Sequence, residues 1–403
     1  MTGPVTRGWC PSLFEPMASG DGLLVRVKPR VGGFSADQAR TVAMAAALYG
    51  SGRIEVTNRA NLQIRGLTAA TVPLFAVAMV EAGLASQDQA VERRRNILVP
   101  SGEAPRALGV AAQLEQWLEN DAALAPLPAK FGFAVGDGTQ AAYGPGADIL
   151  VVLGDEAPRV VLAGARGATP VDQPLAAVRA LTHAFLELAG AVSPPARRMK
   201  ALVAAIGAPA IFAKAGLQAT ECDRPIDPPS PRQVGSAAGA FGLGLPFGAA
   251  DAGMLRAVAD LAEQFGDGRL RTTSARTLVL MGVQADVATL TATAAQAGFI
   301  VDPEDPRLRI TACVGKPACA CAAVNVRTAA GQLAAVWRGD GALHVSGCAK
   351  GCAHPGPASI TLVGTVDAYD VILDGRASDR PQQVGLSLAE VVQFIAERGS
   401  HTE

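Results

Sequence analysis

The chain has 403 residues, of which 49% are hydrophobic and 18% are charged, so it can bury sizeable cores and has room for two to four structural modules. Its net charge of −1 argues against a generally basic surface, and therefore against nucleic acid as a partner. The opening MTGPVTRGWCPSLF lacks an export-signal pattern and no apolar run reaches spanning length, which predicts a cytoplasmic protein that does not enter a membrane.

The chain contains an internal duplication. The stretch LYGSGRIEVTNRANLQIRGL, from Leu48, returns without gaps as QFGDGRLRTTSARTLVLMGV, from Gln264. The glycines and the arginine of GSGR and GDGR coincide at an offset of 216 positions. Self-similarity at a fixed offset indicates two copies of one structural unit.

Each copy has the pattern of an α+β unit. In the first copy, LLVRV predicts a strand, and FSADQARTVAMAAALYG predicts a helix with Ser35 as its N-cap and Gln38 in the capping-box position. The runs RIEVT and LQIRG predict two further strands, and TVPLFAVAMVEAGL predicts a helix that Gly83 ends. This βαββα order is typical of a ferredoxin-like module.

A second kind of module, also built from helices and short strands, follows each copy. The sequence therefore predicts an internally duplicated α+β protein in five parts. These are a ferredoxin-like module at 15–90, an α+β module at 91–192, a Pro-rich polar linker at 193–233, a second ferredoxin-like module at 234–305 and a second α+β module at 306–403.

The two copies differ in ways that folding alone does not require. Arg59, Asn61, Gln63 and Arg65 lie at alternate positions of the first copy, where they share one face of the predicted strand. The matching positions of the second copy are Ala275, Thr277, Val279 and Met281. Two guanidinium groups beside two amides form an array of donors suited to carboxylates, although such a face can also simply meet solvent. The triplet Arg93, Arg94 and Arg95 extends this positive region or forms a solvated charge run.

Cysteines show the opposite asymmetry. Cys313, Cys319, Cys348 and Cys352 form C-x5-C and C-x3-C pairs in the second half and have no counterpart in the first. Four thiolates suit an iron–sulfur cluster or tetrahedral zinc, and the C-x5-C spacing favours the cluster. Of the other cysteines, Cys321 has no assigned role, and Cys10 and Cys222 are interpreted as small buried residues.

The paired cysteine motif, TNRANLQIRG, RRRN and the twofold repeat together resemble the sulfite and nitrite reductase family over nearly the whole chain. That resemblance implies a 4Fe-4S cluster on Cys313, Cys319, Cys348 and Cys352, with Cys352 at the position that bridges to siroheme iron. It also places Arg59, Arg95 and Lys130 at catalytic positions of the family, whereas a second lysine of the family falls on Gly132.

The segments RGWCPSLFEPMASGDGLLVRV and GCAKGCAHPGPASI resemble one branch of that family, whose members act in cobalamin biosynthesis. What this resemblance implies is a monooxygenase that hydroxylates precorrin-3A at ring carbon C-20 with dioxygen and closes a γ-lactone. It further implies a mononuclear non-heme iron beside the 4Fe-4S cluster. Arg59, Asn61, Gln63, Arg65 and Arg95 would then bind the carboxylates of the substrate.

Other functions stay open on the sequence. One alternative is a siroheme-dependent sulfite or nitrite reductase, and another is a non-catalytic scaffold that holds a metal. No G-x-G-x-x-G connects a strand to a helix, so electrons are expected from a separate reductase. His344 and His354 flank the second cysteine pair, where hydrogen-bonding partners are more common than ligands.

Overall fold

The computed structural model describes residues 10–102, 104–137, 146–154, 157–219, 234–237, 239–284 and 286–399. These residues form four five-stranded sheets with helices packed on them, two sheets built mainly from each half of the chain. The duplicated α+β fold is therefore confirmed. Among the described residues, no helix combines the length and apolar character that crossing a bilayer requires.

The first ferredoxin-like module follows the predicted order. Its elements are β1 (Met17–Ser19), β2 (Gly22–Val27), β3 (Phe34–Ser35), α1 (Ala36–Tyr49), β4 (Arg53–Val56), β5 (Leu62–Leu67) and α2 (Thr71–Glu81). The capping box at the start of α1 is confirmed, because the Ser35 hydroxyl accepts from Gln38 N at 3.2 Å and Gln38 Oε1 accepts from Ser35 N at 2.9 Å. The second copy repeats the pattern with β11 (Gly235–Ala237), β12 (Ala240–Gly244), β13 (Ala249–Asp251), α8 (Ala252–Phe265), β14 (Arg269–Thr272), β15 (Thr277–Met281) and α9 (Val287–Gln296).

The two ferredoxin-like copies exchange edge strands. Strand β3 of the first copy pairs with β14 of the second, and β13 of the second pairs with β4 of the first, so each sheet is completed by the other copy. Helices α1 and α8 pack together and share one apolar core with both sheets, in which Val42, Leu255 and Leu280 are fully buried. Because neither sheet is complete alone, the two copies form a single structural body.

The other two modules also match each other. The first contains α3 (Gln89–Arg94), β6 (Ile97–Leu98), α4 (Pro105–Asn120), β7 (Phe133–Gly136), β8 (Ile149–Val152), β9 (Arg159–Leu162), β10 (Thr169–Pro170) and α5 (Pro174–Leu188). The second contains β16 (Ile310–Ala312), α10 (Val326–Val336), β17 (Leu343–Ser346), β18 (Ala358–Thr365), β19 (Ala368–Gly375), β20 (Gln383–Leu386) and α11 (Leu388–Gly399). In each sheet three parallel strands are followed by two antiparallel strands.

The segment 193–233 is not a linker throughout, which corrects the sequence-based interpretation. Its described part contains α6 (Met199–Ile206) and α7 (Ala208–Lys214). Leu202 and Ile211 are fully buried in the core of the preceding module. Apolar residues at helical spacing outweigh the prolines here. Residues 220–233, which include Cys222, lie outside the described residues.

Candidate active site

The polar strand face predicted in the first copy is present on β5. Leu62 and Ile64 are fully buried in the core, while Asn61, Gln63 and Arg65 alternate on the other side. This face extends about 13 Å from Asn61 to Arg65 at the usual rise per strand residue. Its counterpart on β15 is apolar, since Val279 and Met281 are buried together with Ala240.

Arg65 connects the polar face to the cysteine-bearing module. It is 3% exposed and donates to both carboxylate oxygens of Asp21 at 2.9 Å, to the Ser19 hydroxyl at 2.6 Å and to the Ala318 carbonyl at 3.0 Å. Ala318 directly precedes Cys319. These contacts occupy the guanidinium, so Arg65 positions the loop after β16, which carries Cys319 and is called the cysteine loop below.

Gln63 and Glu55 continue this network. Gln63 accepts from Arg26 Nε at 3.0 Å and donates to Glu55 at 2.7 Å. Glu55 also forms ion pairs with Arg65, at 3.5 Å, and with Arg327 of α10. The middle of the face is therefore joined to the cysteine-bearing module by buried charge pairs.

A small cationic cleft opens at the other end of the face. None of the described residues that line it is acidic, and four of them are basic. The residues that define the cleft are Cys10, Arg26, Lys28, Arg59, Asn61 and Arg93. Since positive groups meet here without a carboxylate among them, the cleft is suited to an anionic ligand.

Arg59 lies between the cleft and a neighbouring loop. Its Nη1 donates to the Lys130 carbonyl at 3.1 Å, and a Cβ on Gly146 would lie 3.2 Å from its Cγ. Burial lowers the pKa of Arg59 from its ordinary value, and the positive charges of Arg198 and Arg26 lower it further. An anion bound in the cleft would offset the effects of burial and of the neighbouring cations, because its negative charge favours the charged form of Arg59.

Lys28 is the buried cation of the cleft, and the sequence analysis did not single it out. It is 6% exposed, and its Nζ donates to the carbonyls of Glu92 at 2.5 Å and Arg93 at 2.9 Å. Burial lowers the pKa of Lys28 from 10.5 to about 7. The alternation in VRVK, which places Arg26 and Lys28 on the same side of β2, is the sequence signal that pointed to it.

The three arginines predicted to form one positive region separate in the structure. Arg93 lines the cleft and pairs with Glu15 at 3.3 Å, whereas Arg94 is buried and donates to the Leu118 carbonyl at 2.5 Å. Arg95 is 3% exposed and pairs with Glu92, at 3.1 Å, and Glu115, at 2.9 Å. It also donates to three backbone carbonyls, those of Lys28, Pro29 and Leu84. With its donors engaged, Arg95 is placed in the scaffold behind the cleft.

Lys130 and Gly132 lie on the loop that leads into β7. Lys130 is half-buried beside the cleft, which its neighbour Ala129 lines. Gly132 N–H donates to the Asp148 carboxylate at 2.9 Å, and the Gly132 carbonyl accepts from Asp148 N at 2.6 Å. A Cβ on Gly132 would lie 2.5 Å from the Gly146 carbonyl oxygen. No side chain fits at this position without moving the backbone.

The four predicted cysteine ligands lie on two neighbouring loops, after β16 and after β17. Cys352 is near enough to Cys313, Cys319 and Cys348 for each of them to influence its ionisation. Desolvation, with the neighbouring thiols contributing, raises the pKa of Cys352 to about 11 and also raises the pKa of Cys313 and Cys348. The N–H of Gly347 donates to Cys313 Sγ at 3.3 Å.

Metal binding would change the charge state of these thiols. Thiols that stay protonated at neutral pH when alone become thiolates once iron supplies positive charge. In the described ranges, no group of three or more His, Cys, Asp or Glu side chains is arranged to hold a metal ion.

His344 lies beside this site. It is fully buried, and neither ring nitrogen has a hydrogen-bond partner among the described residues. Burial lowers the pKa of His344 to about 4, and His354, whose ring centroid is 5.6 Å away, lowers it further. The imidazole is therefore neutral at physiological pH.

Comparisons with known proteins agree with this architecture. The family model of the nitrite/sulfite reductase ferredoxin-like half domain matches residues 15–81 and again residues 235–297. A precorrin-3B synthase from Sinorhizobium sp. is 31% identical over 395 residues, with 93% of this chain and 84% of that protein covered. Among solved structures, the Mycobacterium tuberculosis NirA protein superposes with a TM-score of 0.75 at 18% identity, over 94% of this chain and 81% of that one. The doubled family match agrees with the internal duplication, and the superposition shows a shared fold.

Replacing Gly132 tests the tight contact with Gly146. We expect Gly132→Ala to lower the free energy of unfolding by about 1–3 kcal/mol, because the added methyl overpacks the loop. Gly109→Ala is the matched control, since a Cβ there meets nothing within 4 Å and the residue lies inside helix α4, where alanine is favoured by about 0.5–1 kcal/mol. Urea denaturation measures both changes. Equal free energies of unfolding for the two variants would show that position 132 is not closely packed against Gly146.

Removing Arg95 tests its role as a scaffold residue. Arg95→Leu leaves the fully buried Glu92 without its partner and should cost about 3–5 kcal/mol of unfolding free energy. Arg93→Leu breaks only an exposed pair and should change stability by less than about 1 kcal/mol. Denaturant titration of both variants makes the comparison. If Arg95→Leu kept full stability and lost ligand binding instead, Arg95 would be a ligand-binding residue.

Proposed function

Because the chain belongs to the precorrin-3B synthase branch of the nitrite/sulfite reductase family, we propose that it hydroxylates precorrin-3A at ring carbon C-20 with dioxygen. A γ-lactone then closes from the acetate of ring A. The observation that supports this proposal is that the cationic cleft and the loop that carries Cys319 lie along one strand face, which Arg65 joins to the Ala318 carbonyl.

Precorrin-3A is a flexible macrocycle fringed with carboxylates, which matches the charge of the cleft. Arg59 and Arg26 would bind substrate carboxylates, because guanidinium groups match carboxylate geometry. Asn61 would add an amide donor or acceptor at the same wall. These contacts orient the macrocycle so that one edge is presented to the oxidant.

The remaining predicted residues take different places in this proposal. Gln63 and Arg65 support the binding face from behind through Glu55 and Asp21. Lys130 would place a positive charge at the rim of the cleft, beside Ala129. Arg95 acts through the scaffold that holds Glu92 and the Lys28 carbonyl.

Cys313, Cys319, Cys348 and Cys352 would hold a 4Fe-4S cluster, with Cys352 at the family's bridging position. When bound, the cluster would supply single-electron transfer from a separate reductase, and a mononuclear non-heme iron would supply the chemistry that activates dioxygen. The protein keeps the cysteine loop in register with the binding face, because Arg65 and the Ser19 hydroxyl both bond to the Ala318 carbonyl. We place the protein in the reduced environment of the cytoplasm, where such thiols persist.

A siroheme-dependent sulfite or nitrite reductase is the second candidate, favoured by the shared fold. Gly132 argues against it, because the family's second lysine cannot be accommodated there and would supply charge and protons to the small anion being reduced. Colour separates the two candidates. Siroheme has a strong Soret-region band, whereas a lone cluster has only a broad shoulder.

Replacing Cys352 tests the cluster assignment. We expect Cys352→Ser, purified without oxygen, to lose the visible absorbance, the bound iron and sulfide, and the conversion of precorrin-3A together. Cys321→Ser is the control, because this exposed thiol lies two residues after Cys319 but outside the set of four. A Cys352→Ser protein that kept both its absorbance and its activity would refute the assignment.

Replacing Arg59 tests the binding face. Loss of one charge-assisted contact, worth about 1.5–3 kcal/mol, should weaken precorrin-3A binding about ten- to hundredfold in Arg59→Ala. Arg380→Ala, on the exposed loop before β20, serves as the charge-matched control and should bind normally. Titration followed by tetrapyrrole absorbance measures both. Unchanged affinity in Arg59→Ala would remove Arg59 from the binding face.

A further inference from the structure

The cleft contains one amine whose surroundings differ from those of a simple anion-binding lysine. Lys28 leaves β2 with its side chain almost fully buried, yet it lines the cleft. Two of its three Nζ positions are used by the carbonyls of Glu92 and Arg93 at the end of α3. The remaining position is available to a molecule in the cleft.

The backbone of Lys28 is held as firmly as its side chain. Its carbonyl accepts from Arg95 Nη2 at 2.7 Å, and Arg95 is itself locked by Glu92 and Glu115. The amine is therefore positioned by two contacts that do not involve a ligand. Such preorganisation is what a reacting group needs.

The surroundings of Lys28 have opposing effects on its pKa. Burial favours the neutral amine, and the cations Arg95 and Arg59 act in the same direction. Glu92 and Cys10 act in the other direction, and burial prevails, so that the pKa of Lys28 is lowered to about 7. Arg26 and Arg93, which share the cleft, add further positive charge close by.

We propose that Lys28 is the proton donor for the reaction in the cleft. This rests on the proposed function for its role in the reaction. Hydroxylation inserts one oxygen atom into a C–H bond and releases the other as water, so it consumes two electrons, which the separate reductase supplies, and two protons. Lys28 delivers one proton to the oxygen atom that leaves as water, solvent supplies the other, and Lys28 regains its proton from solvent after turnover.

Lys28 and Lys130 are thereby assigned different roles. The amine of Lys28 faces the cleft from within the protein, whereas Lys130 contributes a backbone carbonyl to Arg59 and a charge at the rim. An amine that titrates near the working pH can both give and take a proton. An arginine, which stays charged, can only bind.

Competitive acetylation tests the titration without any substrate. Trace acetic anhydride is applied to the full-length holoprotein between about pH 5.5 and 10, and the labelled peptides are quantified by mass spectrometry, with exposed lysines as internal references. We expect the labelling of Lys28 to reach half its maximum near pH 7. A half-maximum near pH 10 would show a permanently charged structural lysine and overturn the proposal.

Kinetics of Lys28→Arg test the role in the reaction. Because arginine keeps the charge and cannot release the proton, we expect a KM close to that of the wild type and a kcat about a hundredfold lower, with the neutral limb of the pH profile lost. Lys214→Arg, at a surface ion pair on α7, is the control substitution. Full kcat in Lys28→Arg would overturn the proton-transfer role.

The acetylation and activity measurements distinguish a failure of this inference from a failure of the proposed function. If wild-type protein failed to convert precorrin-3A while Lys28 still labelled with a half-maximum near pH 7, the proposed reaction would fall and Lys28 would stand as the titrating amine of the cleft. If conversion occurred and Lys28 labelled only at alkaline pH, the reaction would stand and this inference would fall.

Discussion

The site depends on the buried guanidinium of Arg65. It joins Asp21 and Ser19 of the first ferredoxin-like copy to the Ala318 carbonyl, one residue before Cys319. One side chain thus sets the distance between the binding face and the cysteine loop. A buried cation with this many partners holds a single geometry, because releasing any partner leaves a buried polar group unsatisfied.

The duplication explains how such a site can arise on a stable frame. Both copies share a core and complete each other's sheets through β3 and β13, so folding constrains the two inner faces equally. The outer faces are free to differ. The first carries polar and basic side chains on β5, the second is apolar on β15, and only the second half carries Cys313, Cys319, Cys348 and Cys352. In the proposed function, one half therefore provides most of the binding surface and the other provides the cluster ligands.

Local patterns predicted much of this. The capping box at Ser35 and the alternation along β5 each report a short-range constraint that the fold preserves. The exchanged strands were missed because two or three residues carry no periodic signal. The helices at 199–214 were missed because the prolines beyond them dominated the composition of the segment.

The arginine triplet and Lys28 show why site residues are harder to predict. Arg93, Arg94 and Arg95 are adjacent in sequence and meet three different surroundings, since α3 ends among them. Lys28 acquires its environment from Glu92 and Arg59, which are distant along the chain. The charge state of a buried group is set by such tertiary neighbours, so no local pattern encodes it.

The most direct test of the central claim is the electron paramagnetic resonance spectrum of the reduced, anaerobically purified protein, recorded with and without precorrin-3A. A cluster held against the binding face by Arg65 should change its spectrum when the tetrapyrrole binds. A spectrum that stays the same while absorbance shows the tetrapyrrole to be bound would contradict the account, because the cleft and the cysteine cage would then not form one site.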